Sequence, residues 1–317
     1  MASEGKKNVH WWVRAEVKDG EGRTALTPEN VGQLIGLGHR VTVERSGVRC
    51  FGDAAYAQVG AELEEAGAWQ NKAPAEALVI GLKELAVDPS DPSQGFALVH
   101  RHIYFAHCYK GQHGWEQLLR RFGKGGGSLD DLEFLVDDSN RRVAAFGKPA
   151  GLVGAGLAIL QFATKDIGLH LKPWPSQGHM VADLREALAR LPEPPVVCII
   201  GALGRVGSGA LETCRQAGIP EENLVLWDMA ETAAGGPFDG LLRDVDILCN
   251  CVYLTQKIPP FIDDEAIARV GAGRRLSVVS DISCDFTSNN HPLPFFRQGT
   301  DIHHPIHLTS HQPPIAV

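Results

Sequence analysis

Several polar side chains sit where apolar runs of this 317-residue chain come to an end. Lys83-Glu84 closes the run Ala77-Leu-Val-Ile-Gly-Leu82. A lysine beside an acid is commonly a solvated pair. One held at the mouth of a buried strand is desolvated, and that moves its pKa toward the range useful for proton transfer. His100, His102, His107 and Lys110 crowd the segment Leu98–Lys110. His100 and His102 are two apart and share a strand face, which would permit a metal pair. No cysteine or carboxylate at ligand spacing completes such a site, so no metal is expected. His107, at the end of the run, is the better acid–base candidate. Cys108 beside it reads as a packed thiol rather than a nucleophile. Arg23 lies in a loop leading from a strand into a helix. It is either a surface charge or a bidentate clamp for a substrate carboxylate. Glu133 and Arg142, on two short apolar stretches around an Asp-Asp-Ser-Asn turn, are ordinary surface charges or part of the same site.

A different chemistry is written in Gly201-Ala-Leu-Gly204-Arg-Val-Gly207-Ser-Gly209. The β-branched run Pro195–Ile200 before it predicts a buried strand. Ala210, Leu211, Cys214 and Ala217 after it recur at helical spacing up to Gly218. A strand, a glycine turn and a helix make an anion cradle, because the turn lets a pyrophosphate approach backbone amides at a helix N-terminus. A second strand, Asn223–Asp228, ends in an acid at about the distance expected of a ribose-binding carboxylate, roughly 20 residues on. The glycine spacing is Gly-x-x-Gly-x-x-Gly, so the strand–turn–helix context carries the assignment, and NAD is the expected cofactor.

The elements that must position these residues alternate along the chain. His10–Glu16 reads as a first strand and Val17–Gly22 as the loop leaving it. Thr27-Pro28 opens a helix with Thr27 as N-cap. Val41–Glu44 is a strand, Asp53–Glu65 a helix, Ala77–Leu82 a strand, Asp88–Ser93 a loop, Leu98–His107 a strand and Trp115–Phe122 a helix broken by Gly123–Ser128. Leu132–Leu135 and Arg142–Phe146 are expected as short strands. Ala150–Thr164 is a glycine- and alanine-rich helix suited to close packing between domains. Val181–Leu191 is another helix, and Val245–Leu254 and Leu276–Asp281 supply further strands of the nucleotide-binding sheet. Strands alternating with helices predict parallel sheets covered on both faces. The fold expected is α/β, with two Rossmann-like doubly wound domains and a cleft between them. Residues 1–148 would form the substrate domain, 149–296 the NAD domain and 297–317 an irregular tail.

Composition narrows the classes. The net charge of −8 and the lack of any Lys/Arg block argue against a nucleic-acid surface. No run approaches the roughly 20 apolar residues of a membrane span. Seven scattered cysteines without a Cys-x-x-Cys pair fit a reduced protein, and the polar N-terminus lacks the apolar region of a signal peptide. With no Ser-Lys-Leu at the end, a cytoplasmic monomer acting on small molecules is expected. An NAD domain beside a domain offering arginines, a lysine and a histidine suits hydride transfer on an anionic substrate.

The chain resembles the fungal NAD-dependent, lysine-forming saccharopine dehydrogenases of the alanine dehydrogenase and transhydrogenase superfamily. The resemblance rests on Arg14-Ala-Glu16, Arg23–Pro28, Gly81-Leu-Lys-Glu84, His102-Ile-Tyr-Phe-Ala-His-Cys-Tyr-Lys110, Leu132-Glu-Phe-Leu135 and Arg141–Gly147. The glycine loop, Gly235-Gly-Pro-Phe238 and Asn250–Leu254 add to it. It runs in family order from about residue 10 to about residue 295, and the His102–Lys110 string is its most specific part. The resemblance implies the reversible conversion of saccharopine, NAD and water into lysine, 2-oxoglutarate and NADH. It implies Lys83 as base for the substrate amine and His107 as acid–base group for the water. Arg23 and Arg142 would bind carboxylates, and Glu84 and Glu133 would tune the charge around the two bases. Gly201, Leu203, Gly204, Arg205, Val206, Gly207, Asp228, Cys251, Tyr253 and Asp281 would hold the dinucleotide, with Asp228 on the adenosine ribose.

The chain also departs from that pattern. His100-Arg101-His102 stands where the family has His-Glu-His, putting a base for an acid near the expected reacting centre. Lys148-Pro149 replaces aromatic or apolar residues, and Val206 a cysteine found in some members. After about Pro294 the resemblance ends, where the family chain goes on to complete the first domain. Exposed apolar surface and lower stability are the expected result. An opine-type dehydrogenase with another amine substrate and a non-catalytic nucleotide-binding relative are the alternatives. The first predicts turnover with a different amine, the second NADH binding without turnover.

Overall fold

The computed structural model describes residues 8–85, 95–110, 114–168, 171–254, 256–283, 288–301 and 303–317. The chain divides into two compact units, Met1–Ala145 and Phe146–Val317. The loop expected at Asp88–Ser93 lies outside the described residues.

In the first unit a six-stranded sheet is built from β1 (His10–Val13), β2 (Arg40–Glu44), β3 (Glu62–Glu64), β4 (Leu78–Ile80), β5 (Arg101–Tyr104) and β6 (Ser128–Asp131). Their order is β3-β2-β1-β4-β5-β6, with every pair parallel. This is a doubly wound order, and it reverses direction between β1 and β4, which is where such sheets open a crevice beyond their carboxyl ends. Helix α1 (Pro28–Gly36) starts as its sequence requires: the Thr27 side chain accepts the Asn30 amide and Asn30 returns a bond to the Thr27 backbone. One buried carboxylate ties three parts of the unit together. Glu44 accepts Trp12 Nε1 and the amides of Ala15, Gly67 and Trp69, at 2.7–3.0 Å. Four donors satisfy a charge that burial would otherwise penalise heavily.

Three local expectations are corrected here. Asp53–Glu65 is a short helix α2 (Asp53–Gln58) and then β3, because Gly60 turns the chain at a φ of +93°. The Gly123–Ser128 stretch does end helix α4 (Trp115–Gly125), yet it leads directly into β6. A Cβ at Gly125 or Gly127 would collide with the Leu98 carbonyl, so glycine is what lets β6 run this close to the segment leading into β5. Leu132–Leu135 and Arg142–Phe146 are not strands. Leu132–Phe134 is a 3-10 turn capped by Asp131, whose Oδ1 accepts the Glu133 amide at 3.1 Å. Arg142 makes only a single antiparallel bridge, with Val136.

The second unit contains helix α5 (Gly147–Thr164) and a four-stranded parallel sheet. Its strands are β7 (Val197–Ile200), β8 (Leu224–Trp227), β9 (Ile247–Asn250) and β10 (Val278–Asp281), in the order β10-β9-β7-β8. Its switch point falls between β7 and β9. Helix α7 (Arg205–Ala217) follows β7 and packs on α5. The contact is backbone to backbone: a Cβ at Gly151 would strike the Val206 carbonyl, and one at Gly209 the Lys148 carbonyl. The small residues of α5 thus serve packing inside this unit, where sequence suggested packing between domains. Lys148 contributes an ion pair across the same interface, Nζ to Glu212 Oε2 at 2.7 Å.

Among the described residues the tail after Pro294 has no helix or strand of its own, but it is packed. Ala316 bridges Val278 in parallel, with Val279 N donating to Ala316 O at 2.8 Å and Ala316 N donating to Ser277 O at 2.9 Å. Ile315 is fully buried in the core formed by Leu276, Val279, Leu293 and Phe295. The last residues therefore extend the sheet beside β10.

Candidate active site and dinucleotide groove

The sequence-predicted residues of the first unit follow the carboxyl ends of neighbouring strands. The segment after β1 carries Arg14, Glu16 and Arg23, and Lys83 follows β4. His107 follows β5 and Glu133 follows β6. Adjacent strands lie about 4.8 Å apart, so the topology gathers these residues along one edge.

At that edge Arg23 makes a two-pronged contact with Glu21, through Nε at 2.8 Å and Nη2 at 2.6 Å. The Glu21 side chain is buried and that of Arg23 is 50% exposed. The Arg23 hydrogen bond holds the Glu21 carboxyl below its usual range, against the effect of burial, and Glu21 raises Arg23 in turn. Glu21 thereby fixes a guanidinium whose exposed portion faces solvent. Sequence reasoning missed it, although its placement two residues before Arg23 was the available signal.

Lys83 is half-buried, and among the described residues nothing hydrogen-bonds its ammonium. Glu84 is exposed and meets Lys18 at 3.4 Å. Burial alone would raise the Glu84 carboxyl. Its own backbone amide and the cations of Lys18 and Lys83 outweigh that and lower it.

His107 adopts a φ of +54° and stacks on Phe105 with ring centroids 6.3 Å apart. Its Nδ1 lies 3.9 Å from Glu133 Oε2, which also accepts Arg142 Nη2 at 2.6 Å. Glu133 is buried while Arg142 is 41% exposed. Asp131, a second residue missed from sequence, accepts the amides of both Ala106 and Glu133 at 3.1 Å, tying the His107 segment to the Glu133 turn. A buried carboxylate between an imidazole and a half-exposed guanidinium suits proton transfer beside an anionic group.

Arg101, His100, His102 and Cys108 of this segment do not join the cluster. Arg101 starts β5, at the opposite edge from His107, and pairs with Asp130 at 2.5 Å. The exchange of Glu for Arg there therefore falls away from the carboxyl edge, contrary to the expectation. His100 and His102 are core residues. His102 packs edge-on against Trp69 and Phe122, and burial pushes its imidazole down to about 3. Cys108 is a buried thiol whose pKa burial raises.

In the second unit Gly201, Leu203, Gly204, Asp228 and Cys251 line a groove of about 640 Å³ at the switch point. Gly201 has a φ of +82°, and a Cβ at Gly207 would collide with the Gly201 carbonyl, so the turn closes only with glycine at both positions. The loop ends at the first residue of α7, whose N-terminal amides are the natural anion site. Asp228, which follows β8, accepts the Leu203 amide at 3.0 Å and caps helix α8 (Met229–Thr232). One carboxylate thus holds the glycine loop while bordering the groove. Arg205 and Val206 open α7, and burial raises the Cys251 thiol to about 12, keeping it protonated.

Two predicted cofactor residues, Asp281 and Tyr253, border a small cavity that shares Val252 and Leu254 with the groove. Asp281, at the end of β10, accepts Asn250 Nδ2 at 2.8 Å and pairs with His291 Nε2 at 2.9 Å, with both partners of that pair buried. Tyr253 is 70% exposed. Thr232, Ile258 and Phe261, which sequence did not single out, also line the groove.

The glycine cradle, the acid at the end of the second strand and the switch-point groove fit a dinucleotide, and with the parallel sheets they define a Rossmann-like, NAD-dependent dehydrogenase. Residues 12–153 match the alanine dehydrogenase/PNT N-terminal domain family. Saccharopine dehydrogenase [NAD(+), L-lysine-forming] of Emericella nidulans is 46% identical over 93% of this chain and 79% of its own length. The enzyme of the same name from Schizosaccharomyces pombe is 41% identical over 93% and 81%. The chain belongs to the saccharopine dehydrogenase family. Among solved structures, an L-alanine dehydrogenase superposes with a TM-score of 0.56 at 18% identity, over 86% of this chain and 73% of that one. A transhydrogenase from Sinorhizobium meliloti gives 0.56 at 16% identity, over 85% and 77%. At such identities these two bear on the fold alone. Among the described residues no helix is long and apolar enough to cross a membrane.

Proposed function

We propose that this protein catalyses the reversible, NAD-dependent oxidative deamination of saccharopine to L-lysine and 2-oxoglutarate. The observation that carries the reading is the placement of Lys83 and the His107–Glu133–Arg142 cluster at one sheet edge, in a chain 46% identical to an enzyme of that name. Bound NAD supplies the hydride acceptor; the amides of Gly201–Gly207 would take its pyrophosphate and Asp228 its adenosine ribose.

Lys83 accepts the proton of the substrate's secondary ammonium, which frees the nitrogen lone pair to expel hydride from the adjacent carbon. The resulting iminium ion is attacked by water. His107 takes the proton that water loses and returns it to nitrogen, then takes the hydroxyl proton as the carbinolamine collapses to amine and keto acid. Arg23, held by Glu21, and Arg142, held by Glu133, meet substrate carboxylates. A guanidinium already fixed by a carboxylate loses little further entropy on binding.

The test is NADH oxidation by the purified protein with 2-oxoglutarate, offered lysine and then a panel of other amino acids. Turnover confined to lysine supports the reading. Turnover with another amine moves the protein to the opine type, and saturable NADH binding without turnover makes it a nucleotide-binding relative. A cytoplasmic location and a monomeric state belong to the same proposal, and fractionation and sedimentation test them.

A further inference from the structure

The backbone of Lys83 is gripped from both sides by a buried ion pair from the neighbouring strand end. Arg14 and Glu16 follow β1, which lies directly beside β4. Their side chains are 2% and 5% exposed, and Arg14 Nη1 approaches Glu16 Oε2 at 3.3 Å. The Glu16 carboxylate accepts the amide of Leu82 at 2.7 Å and that of Lys83 at 2.9 Å. Arg14 Nη2 donates to the Lys83 carbonyl. The Arg14 backbone is itself fixed, its amide donating to Ile80 O at 3.0 Å. Its guanidinium lies across Gly81, where a Cβ would strike it, and 5.5 Å from the centre of the Tyr104 ring.

Taking two charges out of water is expensive, and an apolar pair of the same size would hold a sheet edge at least as well. An apolar pair could not bind a peptide N–H and a peptide C=O at once. The pair makes these bonds at one residue, the one whose ammonium no described residue holds. We infer that Arg14 and Glu16 are positioning residues that set the backbone of Lys83, and through it the place of its ammonium, with Gly81 keeping the space the guanidinium needs. The inference rests on the reading of Lys83 as a base.

The experiment is a double-mutant cycle on the full chain between Glu16→Gln and Lys83→Met, with Gly81→Ala as a second way to displace Arg14. Glutamine keeps the size of the side chain but loses one acceptor oxygen and the charge that holds Arg14. A displacement near 1 Å costs on the order of 100-fold in rate. Glu16→Gln and Gly81→Ala should therefore each lower kcat about 10- to 100-fold. The KM for the amine should stay within about threefold, and the NADH Kd should be unchanged, because the dinucleotide loop belongs to the other unit. In the Lys83→Met background Glu16→Gln should slow the residual turnover by less than about twofold, because the group it positions is gone. An equal factor in both backgrounds overturns the inference and leaves a merely structural pair. So does a kcat within about twofold of wild type for Glu16→Gln and Gly81→Ala while Lys83→Met is slow. Full activity in Lys83→Met overturns the reading beneath it. If Glu16→Gln fails to fold, by circular dichroism, Gly81→Ala against Lys83→Met is the cycle that decides.

Discussion

Carboxylates do much of the arranging at the scale of single residues. Glu21 fixes Arg23, Glu133 joins His107 to Arg142, Glu16 grips the Lys83 backbone and Asp228 holds the glycine loop. Each holds a charged or polar group that the proposed reaction assigns to catalysis or to ligand binding. Lys83→Met and His107→Gln should each lower kcat at least about 100-fold, the loss expected for a proton-transfer group, with the NADH Kd within about twofold of wild type. Steady-state kinetics and fluorescence titration check both. His102 supports the opposite kind of prediction. Burial lowers its folded-state pKa to about 3, while the unfolded chain protonates near the ordinary value of 6.5. Below that value the unfolded state binds the extra proton, so stability is complete above about pH 6.5 and falls as pH drops toward 3, by up to about 1.4 kcal/mol per pH unit. His102→Phe, which keeps a ring against Trp69 and Phe122, should flatten this acid limb in thermal melts between pH 7 and 4 and leave kcat at neutral pH unchanged.

Among the elements, the contact of α5 with α7 governs the cofactor site. The two helices touch through glycine, so α7 is held at a fixed depth and its first turn presents its amides at one place. The loop before it closes because Gly207 has no side chain to meet the Gly201 carbonyl. Gly207→Ala must push that turn open. It should raise the NADH Kd more than about tenfold, since backbone amides bind a pyrophosphate only at close approach. Titration of the variant with NADH, beside a melt showing that it is folded, reads the effect.

For the whole molecule, each unit keeps its own sheet and core, and the second relies on the end of the chain. Ile315 fills that core and Ala316 pairs with the edge of β10. Removing a buried isoleucine side chain costs about 2–5 kcal/mol. Ile315→Ala should therefore lower the thermal midpoint of the second unit by several degrees. NADH should recover part of the loss, because a ligand that binds only the folded state stabilises it. A melt with and without NADH checks both parts.

The sequence alone determined which strands and helices exist at Thr27–Gly36, Val41–Glu44 and Pro195–Gly218, because capping, β-branched runs and glycine punctuation are local properties of the chain. It also marked Lys83, His107, the glycine loop and Asp228, whose types and spacing announce their chemistry. Only the tertiary structure decided what those residues touch. That Arg101 belongs to the far edge of the sheet, that His102 is a neutral core residue and that Asp281 serves a buried network follow from strand direction and burial, which no spacing encodes. The same holds for Arg14, Glu16, Glu21 and Asp131. Their partners lie in other strands and turns, or depend on how a loop folds, so their roles exist only once the sheet order is set. The tail shows the limit most plainly. Its polar, proline-bearing sequence carries no period, yet Ile315 and Ala316 are held by a strand edge and a core built from residues far from them in the chain.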